Sequence, residues 1–263
     1  MYDTNDLAYV LVSVFPLSLG FIIVSKTTIG RISYGIVTAA ILAALLLTQS
    51  RGGFLGLIVV ALLASLVPIR RPTGKKRPTK LGWLVVAIGV GAIVWFQLPT
   101  DARERFASVL NLSGDYNLDP TNDKSRGQIW SRGARATIDR PIGYGPWAFG
   151  MVDYRYGGRM MAPHNSYVEA MVELGVLGIF LFIRMYFLAW RGLQRTNVSL
   201  TEKGGVSPEQ EEQVVFARAL QISLAGNAVA GFFLSMTYAT ILWVFFGTCM
   251  ALIVVGERVR TEA

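Results

Sequence analysis

Long apolar stretches, separated by shorter polar ones, dominate the chain. A helix needs about 20 predominantly apolar residues to cross the roughly 30 Å hydrocarbon core of a bilayer. Seven stretches reach or approach that length, and they lie at 7–25, 32–48, 54–69, 81–98, 167–190, 214–235 and 238–256. The pattern predicts an all-α polytopic membrane protein with about seven transmembrane helices and one large loop, at 99–165.

Composition supports this prediction. Of the 263 residues, 52% are hydrophobic and 16% are charged, whereas soluble domains average about 25% charged residues. The single cysteine, Cys249, and the single histidine, His164, exclude an internal disulfide framework and a multi-His metal centre. We therefore expect neither a metal nor another cofactor.

The basic residues predict which side of the membrane each connection faces. Lys and Arg concentrate on the cytoplasmic side of membrane proteins. Here they cluster in one set of connections and at the C-terminus: Lys26, Arg31, Arg70, Arg71, Lys75, Lys76, Arg77, Lys80, Arg191, Arg195, Lys203, Arg258 and Arg260. The opposite set holds Arg51 and the long loop, which its length exempts from the rule. We predict a cytoplasmic C-terminus, an outer N-terminus and an outer loop.

The chain divides accordingly into three parts. Residues 1–98 would form four transmembrane helices with a basic cytoplasmic loop at 70–80, 99–165 the large outer loop, and 166–263 three further helices with a short cytoplasmic tail. The net charge of +8 does not indicate nucleic-acid binding, because the basic run at 70–80 is placed to contact anionic lipid headgroups. An odd number of spans behind an acidic, outer N-terminus leads us to expect upstream helices in a longer protein.

Within the loop, the sequence predicts a helix over residues 124–140. Asp123 or Ser125 can cap its start, and Pro141 with the glycines that follow ends it. Helical spacing places Arg126 beside Trp130 on one stripe.

A second stripe of this helix carries Arg132, Arg135 and Asp139. Arg135 and Asp139 are four residues apart, which predicts a structural ion pair. Arg126 has no acid at such spacing, so a ligand contact and a solvated arginine remain equally open. Arginine is the cation best suited to a bidentate grip on phosphate, although most loop arginines could simply pair with loop acids.

The segment QSRGG at 49–53 follows the second apolar stretch at its outer end. The paired glycines Gly52 and Gly53 predict a turn with outward-pointing N–H groups, with the next helix beginning at Phe54. A helix N-terminus beside Arg51 would bind an anion at the membrane surface. The alternative is a tight turn in which Arg51 reaches the lipid headgroups.

His164 lies just before the fifth apolar stretch. Ser166 and Glu169 have the spacing of a capping box, which would place His164 ahead of a helix N-terminus. The positive end of the helix dipole disfavours protonation, and a neutral, positioned imidazole can serve as a general base. The alternative is a histidine that binds headgroups or has a structural hydrogen bond. Glu173, one turn deeper, needs a partner, which a loop arginine could supply.

These segments together resemble the bacterial O-antigen ligase and polysaccharide polymerase superfamily. The matching features are NDLAYVL near the start, SRGGFLG after an apolar span, an R-x-x-x-W helix leading into RPIGYGP, and PHNSYVEAMVELGVLG opening the next span. The resemblance covers most of the chain. It implies a GT-C-like inner-membrane glycosyltransferase that moves a glycan from a polyprenyl-diphosphate carrier to an acceptor on the periplasmic side, without a nucleotide sugar or required metal.

The resemblance also assigns residues. The arginines that grip the diphosphate match Arg51 and Arg126, with Arg132 and Arg135 as weaker matches, and the catalytic histidine matches His164. Supporting positions are Gly52, Gly53, Asn165 and Glu169. Family members usually have more spans than this chain, which agrees with the expected upstream helices.

The acceptor would be a lipid A–core sugar or another carrier-linked glycan, for ligase and polymerase respectively. Two other functions compete with glycan transfer. One is a transporter or flippase of lipid-linked sugars, and the other is a non-catalytic subunit of a polysaccharide assembly complex. A transporter would need polar or broken helices near the bilayer midplane.

Overall fold

The computed structural model describes residues 4–66, 69, 100, 122–202 and 207–262, without the side chains of 199–202 and 259–262. The predicted span at 81–98, the basic run at 70–80 and nearly all of the loop before residue 122 lie outside these residues. The described ranges are helical and contain no strand. Their helices are α1 (Thr4–Val24), α2 (Thr28–Leu47), α3 (Arg51–Leu66), α4 (Arg126–Asp139), α5 (Phe149–Arg155), α6 (Ser166–Glu202), α7 (Pro208–Gly231) and α8 (Thr240–Glu262).

Five of these helices are long and apolar enough to cross a membrane, namely α1, α2, α6, α7 and α8. The third predicted span corresponds to α3, an apolar helix of 16 residues. The prediction of an all-helical, multi-pass membrane protein is therefore confirmed.

Helix α7 forms the centre of the bundle and packs against α1, α3 and α6. Small residues allow this close packing: a Cβ atom built on Gly226 would lie 2.6 Å from Val60 of α3 and 2.9 Å from Val12 of α1. Small residues at such positions let the backbones of neighbouring membrane helices approach closely.

A buried hydrogen-bond network around Asn227 joins three helices. The hydroxyls of Tyr9 and Tyr186 each donate to Asn227 Oδ1 at 2.7 Å. The amide Nδ2 of Asn227 donates to Ser13 Oγ at 2.9 Å, and Ser13 Oγ donates to the Tyr9 carbonyl. Because these polar groups partner one another, they fix the packing of α1, α6 and α7 at low desolvation cost.

Helices α1, α3, α6 and α8 begin at one end of the bundle, and α2 and α7 end there. That end, which we call the loop end, holds the start of α1, the α2–α3 connection, residues 122–165 and the α7–α8 turn. The ring of Trp130 in α4 contacts Phe232 of this turn, and a Cβ on Gly53 would lie 2.7 Å from Ala8 of α1. All the predicted site residues lie on this end.

Candidate functional site

Helix α4 forms where the sequence predicts it. Of the two candidate caps, Ser125 is the one used, and its Oγ accepts a hydrogen bond from the Gln128 N–H at 3.4 Å. Asp123 is not the cap: its carbonyl accepts from Arg132 Nη2 at 3.0 Å, and its carboxylate lies 3.7 Å from Arg159 Nη2. Arg126 is consequently the first residue of the helix and is half-buried at the loop end.

Arg132 forms a buried ion pair. Its Nε donates to Asp153 Oδ1 of α5 at 2.7 Å, and the residue is only 7% exposed. The other carboxylate oxygen of Asp153 accepts from the N–H groups of Arg159 and Met161, each at 3.0 Å. Arg132 therefore fastens α4 to α5 and, through Asp153, to the segment that leads to His164.

The predicted ion pair between Arg135 and Asp139 is wrong. Arg135 is exposed, and the ion pairs among the described side chains do not include it. Asp139 instead accepts a hydrogen bond from the Tyr156 hydroxyl at 2.6 Å. The Tyr156 hydroxyl also lies 3.0 Å from that of Tyr144. The hydrogen bond with Asp139, and after it the one with Tyr144, raises the pKa of Tyr156, so its phenol stays protonated well into the alkaline range. The tertiary fold brings Tyr156 to Asp139, so Asp139 bonds to this tyrosine and not to Arg135.

Trp130 fixes the approach to His164. Its indole Nε1 donates to the carbonyl of Pro163 at 2.8 Å. His164 follows with a left-handed backbone (φ 45°), an uncommon conformation for a residue other than glycine, and is half-buried. The turn that carries the imidazole is thus specified by contacts to α4 and by an unusual backbone conformation.

The predicted capping box at the start of α6 is wrong. Asn165 caps the helix, since its Oδ1 accepts from the N–H groups of Tyr167 and Val168 at 2.9 and 3.1 Å. Ser166 Oγ and Glu169 Oε2 bind the α7–α8 turn instead, the former at Leu234 and Met236 and the latter at the Thr237 N–H. The tertiary fold brings backbone groups of this turn to Ser166 and Glu169, and the spacing of residues along the sequence does not reveal such contacts. The placement of His164 ahead of a helix N-terminus still holds.

The SRGG segment also differs from the prediction. Helix α3 begins at Arg51, three residues earlier than expected, because the Gly53 N–H donates to Ser50 Oγ and the Phe54 N–H to the Ser50 carbonyl. The glycines therefore do not form an outward turn. They permit close packing instead, since a Cβ on Gly52 would lie 2.8 Å from that of Phe233. Arg51 remains at a helix N-terminus, half-buried.

The aromatic pair Phe232 and Phe233 connects the three predicted segments. Their ring centroids lie 5.4 Å apart, and that of Phe232 lies 5.3 Å from the Trp130 ring in an edge-on arrangement. Phe233 packs on Gly52, the neighbour of Arg51. Because Trp130 also binds the residue before His164, the starts of α3, α4 and α6 are gathered around this pair.

The structure therefore brings Arg51, Arg126 and His164 to one region, on three elements far apart in sequence. Arg132 is buried in its ion pair with Asp153. Arg135 is nine residues after Arg126, which is two and a half helical turns and hence the opposite side of α4. No three His, Cys, Asp or Glu side chains in the described ranges are grouped to hold a metal ion.

A break in α6 is the feature that sequence reasoning missed. Gly175 has a non-helical backbone (φ 73°, ψ −169°). The groups freed there bind the segment after α4: the Val176 N–H donates to the Pro141 carbonyl, and the Tyr144 and Gly145 N–H groups donate to the carbonyls of residues 172 and 173. Glycines within RPIGYGP and ELGVLG were its only visible signals.

Glu173 beside this break has a different partner from the one expected. Its carboxylate accepts from the backbone N–H groups of Trp147 and Phe149 at 2.8 and 2.9 Å, at the start of α5. The expectation of a loop arginine is wrong, because two amides at a helix start already stabilise the negative charge.

Comparison with protein families adds an independent finding to this geometry. The family model described as O-antigen ligase matches residues 36–183, more than half of the chain. The chain belongs to the O-antigen ligase family. The match contains Arg51, Arg126 and His164, and thus the whole gathered region apart from the α7–α8 turn. The comparison with curated proteins gave no match.

Membership in this family, together with the apolar helices, gives the general class of the protein. It is a multi-pass membrane enzyme of the O-antigen ligase and polymerase type. Its substrates, by membership, are lipid-linked glycans.

Proposed function

We propose that this protein is an inverting glycosyltransferase of the bacterial inner membrane. It transfers a glycan from a polyprenyl-diphosphate carrier to an acceptor hydroxyl on the periplasmic side, without a metal ion. The acceptor belongs either to lipid A–core or to a second carrier-linked glycan. The observation that carries the proposal is the meeting of Arg51, Arg126 and His164 around Phe232 and Phe233.

The two arginines bind the diphosphate of the donor. Each is the first residue of a helix, where backbone N–H groups and the helix dipole add to the guanidinium charge. The diphosphate gains negative charge as the bond to the sugar breaks. Arginines held in place before the reaction stabilise that charge with little reorganisation, which is usually the largest contribution to catalysis.

His164 acts as the general base. The acceptor oxygen attacks the anomeric carbon, its proton passes to the imidazole, and the bond between that carbon and the diphosphate oxygen breaks. The new glycosidic bond has the opposite anomeric configuration, and polyprenyl diphosphate leaves. Asn165 supports this step, since its cap on α6 fixes the residue next to His164.

The other residues carried over from the family have indirect roles in this proposal. Arg132 positions the His164 segment through Asp153, and Glu169 positions the α7–α8 turn through Thr237. Gly52 and Gly53 allow α3 to approach Phe233 and α1. Arg135 is left out of the diphosphate site, because it lies on the far side of α4 from Arg126.

The membrane arrangement in this proposal has seven spans, with the loop end facing the periplasm and the C-terminus in the cytoplasm. The helix directions agree with it, since Lys26 and the start of α7 lie together at the opposite end, where the Lys26 ammonium is 3.7 Å from Glu212. A lipid-linked donor then reaches the arginines from the outer leaflet.

The break in α6 makes the transporter alternative worth weighing. Transporters expose the backbone groups of broken helices to their substrate. Here the chain's own Pro141, Tyr144 and Gly145 occupy groups freed at the break. The break therefore favours a structural role, and we retain the transferase.

The decisive experiment is transfer of a labelled glycan by the purified, reconstituted full chain. We expect product from the wild type and none from His164→Ala at equal folded amount. Arg51→Ala and Arg126→Ala should each lower kcat by about 100-fold or more, the usual cost of removing one donor that stabilises developing negative charge. Arg155→Ala, which removes an exposed arginine of α5, is the matched control and should retain the wild-type rate.

Normal turnover by His164→Ala would contradict the mechanism. Equal loss in Arg126→Ala and Arg155→Ala would mean that general positive charge, and not a defined diphosphate site, supports the reaction. A folded wild type that consumes no donor would favour the transporter or the non-catalytic subunit.

A further inference from the structure

A cavity of about 600 Å³ opens at the loop end, and Phe232 and Phe233 are not among the described residues that line it. Its walls are the first turns of α1, Trp147 of the loop, Glu169 of α6 and residues 235, 236 and 238–241. This volume is in the range of small-molecule binding sites, which are mostly apolar with a few placed polar groups. None of the roles proposed above for the arginines or His164 uses this space.

Trp147 is the tryptophan among the residues that line the cavity. The residue is 78% exposed and has a left-handed backbone (φ 64°), which is uncommon outside glycine. Its N–H is held by Glu173 Oε2 at 2.8 Å, and its ring lies 5.1 Å from that of Tyr238, tilted by 32°. An exposed indole held in an unfavourable conformation indicates a role that burial does not explain.

The polar groups of the cavity are acceptors and hydroxyls. Carboxylates enter from two walls, Asp6 of α1 and Glu169 of α6. Ser235 also lines the space, and its Oγ is buried without a hydrogen-bond partner among the described residues. Two carboxylates make this an unfavourable place for a diphosphate, but they are suitable acceptors for the hydroxyl groups of a neutral ligand.

We propose that this cavity binds a sugar ring of the acceptor glycan. One face of the ring stacks on Trp147, and its hydroxyls donate to Asp6 and Glu169. The inference rests on the proposed transferase function and adds to it the site at which the acceptor glycan binds. Glu169 is four residues into α6 from Asn165, about 6 Å along the axis, so this wall of the cavity is about one helical turn from the residue next to His164.

The same α7–α8 turn then serves two ligands. Phe232 and Phe233 lie beside the diphosphate arginines, whereas Ser235 and Tyr238 line the acceptor cavity. Its anchors, Ser166 and Glu169, belong to the helix start that follows His164. Donor and acceptor thus contact different residues of one turn.

The test measures sugar binding without any donor. Saturation-transfer NMR on the full chain in detergent uses two probes: the delipidated core oligosaccharide of lipopolysaccharide, and the free repeat-unit oligosaccharide released from its carrier. We expect one probe to bind the wild type and Trp147→Ala to weaken it at least tenfold. Trp147→Phe should keep part of the affinity, and Asp6→Asn should lose several-fold. Tyr154→Ala removes an exposed aromatic residue of α5 and should bind as the wild type does.

Each outcome is informative. Binding of the core oligosaccharide assigns a ligase acceptor, and binding of the repeat unit a polymerase acceptor. Binding of neither probe, or equal binding by Trp147→Ala and Tyr154→Ala, overturns the inference. Failure of the transferase proposal is distinct, because it appears as absence of product from the wild type with donor present, whatever the binding result.

Discussion

Trp130 is the residue that relates the loop helix to the proposed base. Its indole N–H reaches the carbonyl before His164, and its ring contacts Phe232 on the turn that packs against α3. The sequence identified it only as a neighbour of Arg126 in a motif. Its contacts assign it a positioning role, because one side chain joins the start of α6 to both other segments.

This role predicts a specific result for Trp130→Phe. The substitution keeps an aromatic ring but removes the hydrogen bond, which is worth about 1 kcal/mol of stability. We expect kcat to fall by about tenfold or more with KM for donor nearly unchanged, because small misplacement of a base is costly. The measurement is initial transfer rate against donor concentration, beside the apparent melting temperature.

Trp190→Phe is the matched control, since Trp190 lies in the second half of α6, away from His164, and packs against the apolar core. If both variants lose activity in proportion to their loss of stability, Trp130 has only a structural role. A selective fall in kcat for Trp130→Phe supports positioning of His164.

Local spacing gave wrong partners for charged residues. Glu169 has the spacing of a capping box and Arg135 that of a helical ion pair, yet Asn165 caps α6 and Tyr156 takes Asp139. Both local interactions are worth a few tenths to about one kcal/mol, so a tertiary partner readily replaces them. The sequence shows which charged residues are present at these positions, but it does not show which groups they contact in the folded protein.

At the scale of elements, the break in α6 organises the loop. The segment after α4 crosses α6 at Gly175 so closely that a Cβ on Gly143 would meet the Glu173 carbonyl, and a Cβ on Gly175 the Pro141 carbonyl. Both glycines have positive φ, at 84° and 73°. Only glycine satisfies the backbone conformation and the close approach together.

We therefore expect Gly175→Ala to destabilise the protein strongly. A side chain in this conformation costs about 1–3 kcal/mol, and the backbone contact adds to that cost. An apparent melting temperature at least about 5 °C below that of the wild type is the expected result. Gly247→Ala, at an exposed helical glycine with no neighbour within 4 Å, should be neutral or slightly stabilising.

Thermal unfolding in one detergent, followed by circular dichroism, compares the two variants. Equal melting temperatures would mean that α6 can straighten at Gly175 without loss, and that the crossing of the loop over the helix is dispensable. In that case the break would not be needed to hold the start of α5 beside Glu173.

For the whole molecule, the question is which side of the membrane each end faces. The positive-inside pattern predicts a periplasmic loop end, and the helix directions place Lys26 and Gly127 at opposite ends. Cys249 is fully buried, so the native thiol should not react with a polar reagent.

Single-cysteine labelling tests this arrangement. Both sites are exposed, so a cysteine at either one can react. In right-side-out membrane vesicles, a membrane-impermeant maleimide should label Gly127→Cys at once, because the predicted arrangement places it outside. Lys26→Cys should be labelled only after permeabilisation, because the same arrangement places it in the cytoplasm. The unsubstituted chain controls for Cys249. Labelling in the reverse order would contradict the predicted sidedness and the access of a periplasmic acceptor to His164.

Sequence alone was sufficient for the membrane class, the family, the bounds of α1 to α4 to within four residues, and the choice of Arg51, Arg126 and His164 as candidate site residues. These follow from apolar run length, charge placement and short motifs, all of which act along the chain. Tertiary structure decided the rest: the ion pair of Arg132, the cap by Asn165, the break at Gly175 and the cavity beside Trp147. Each of these depends on which distant backbone or side-chain group lies within hydrogen-bond or contact distance, and that is fixed only when the helices pack.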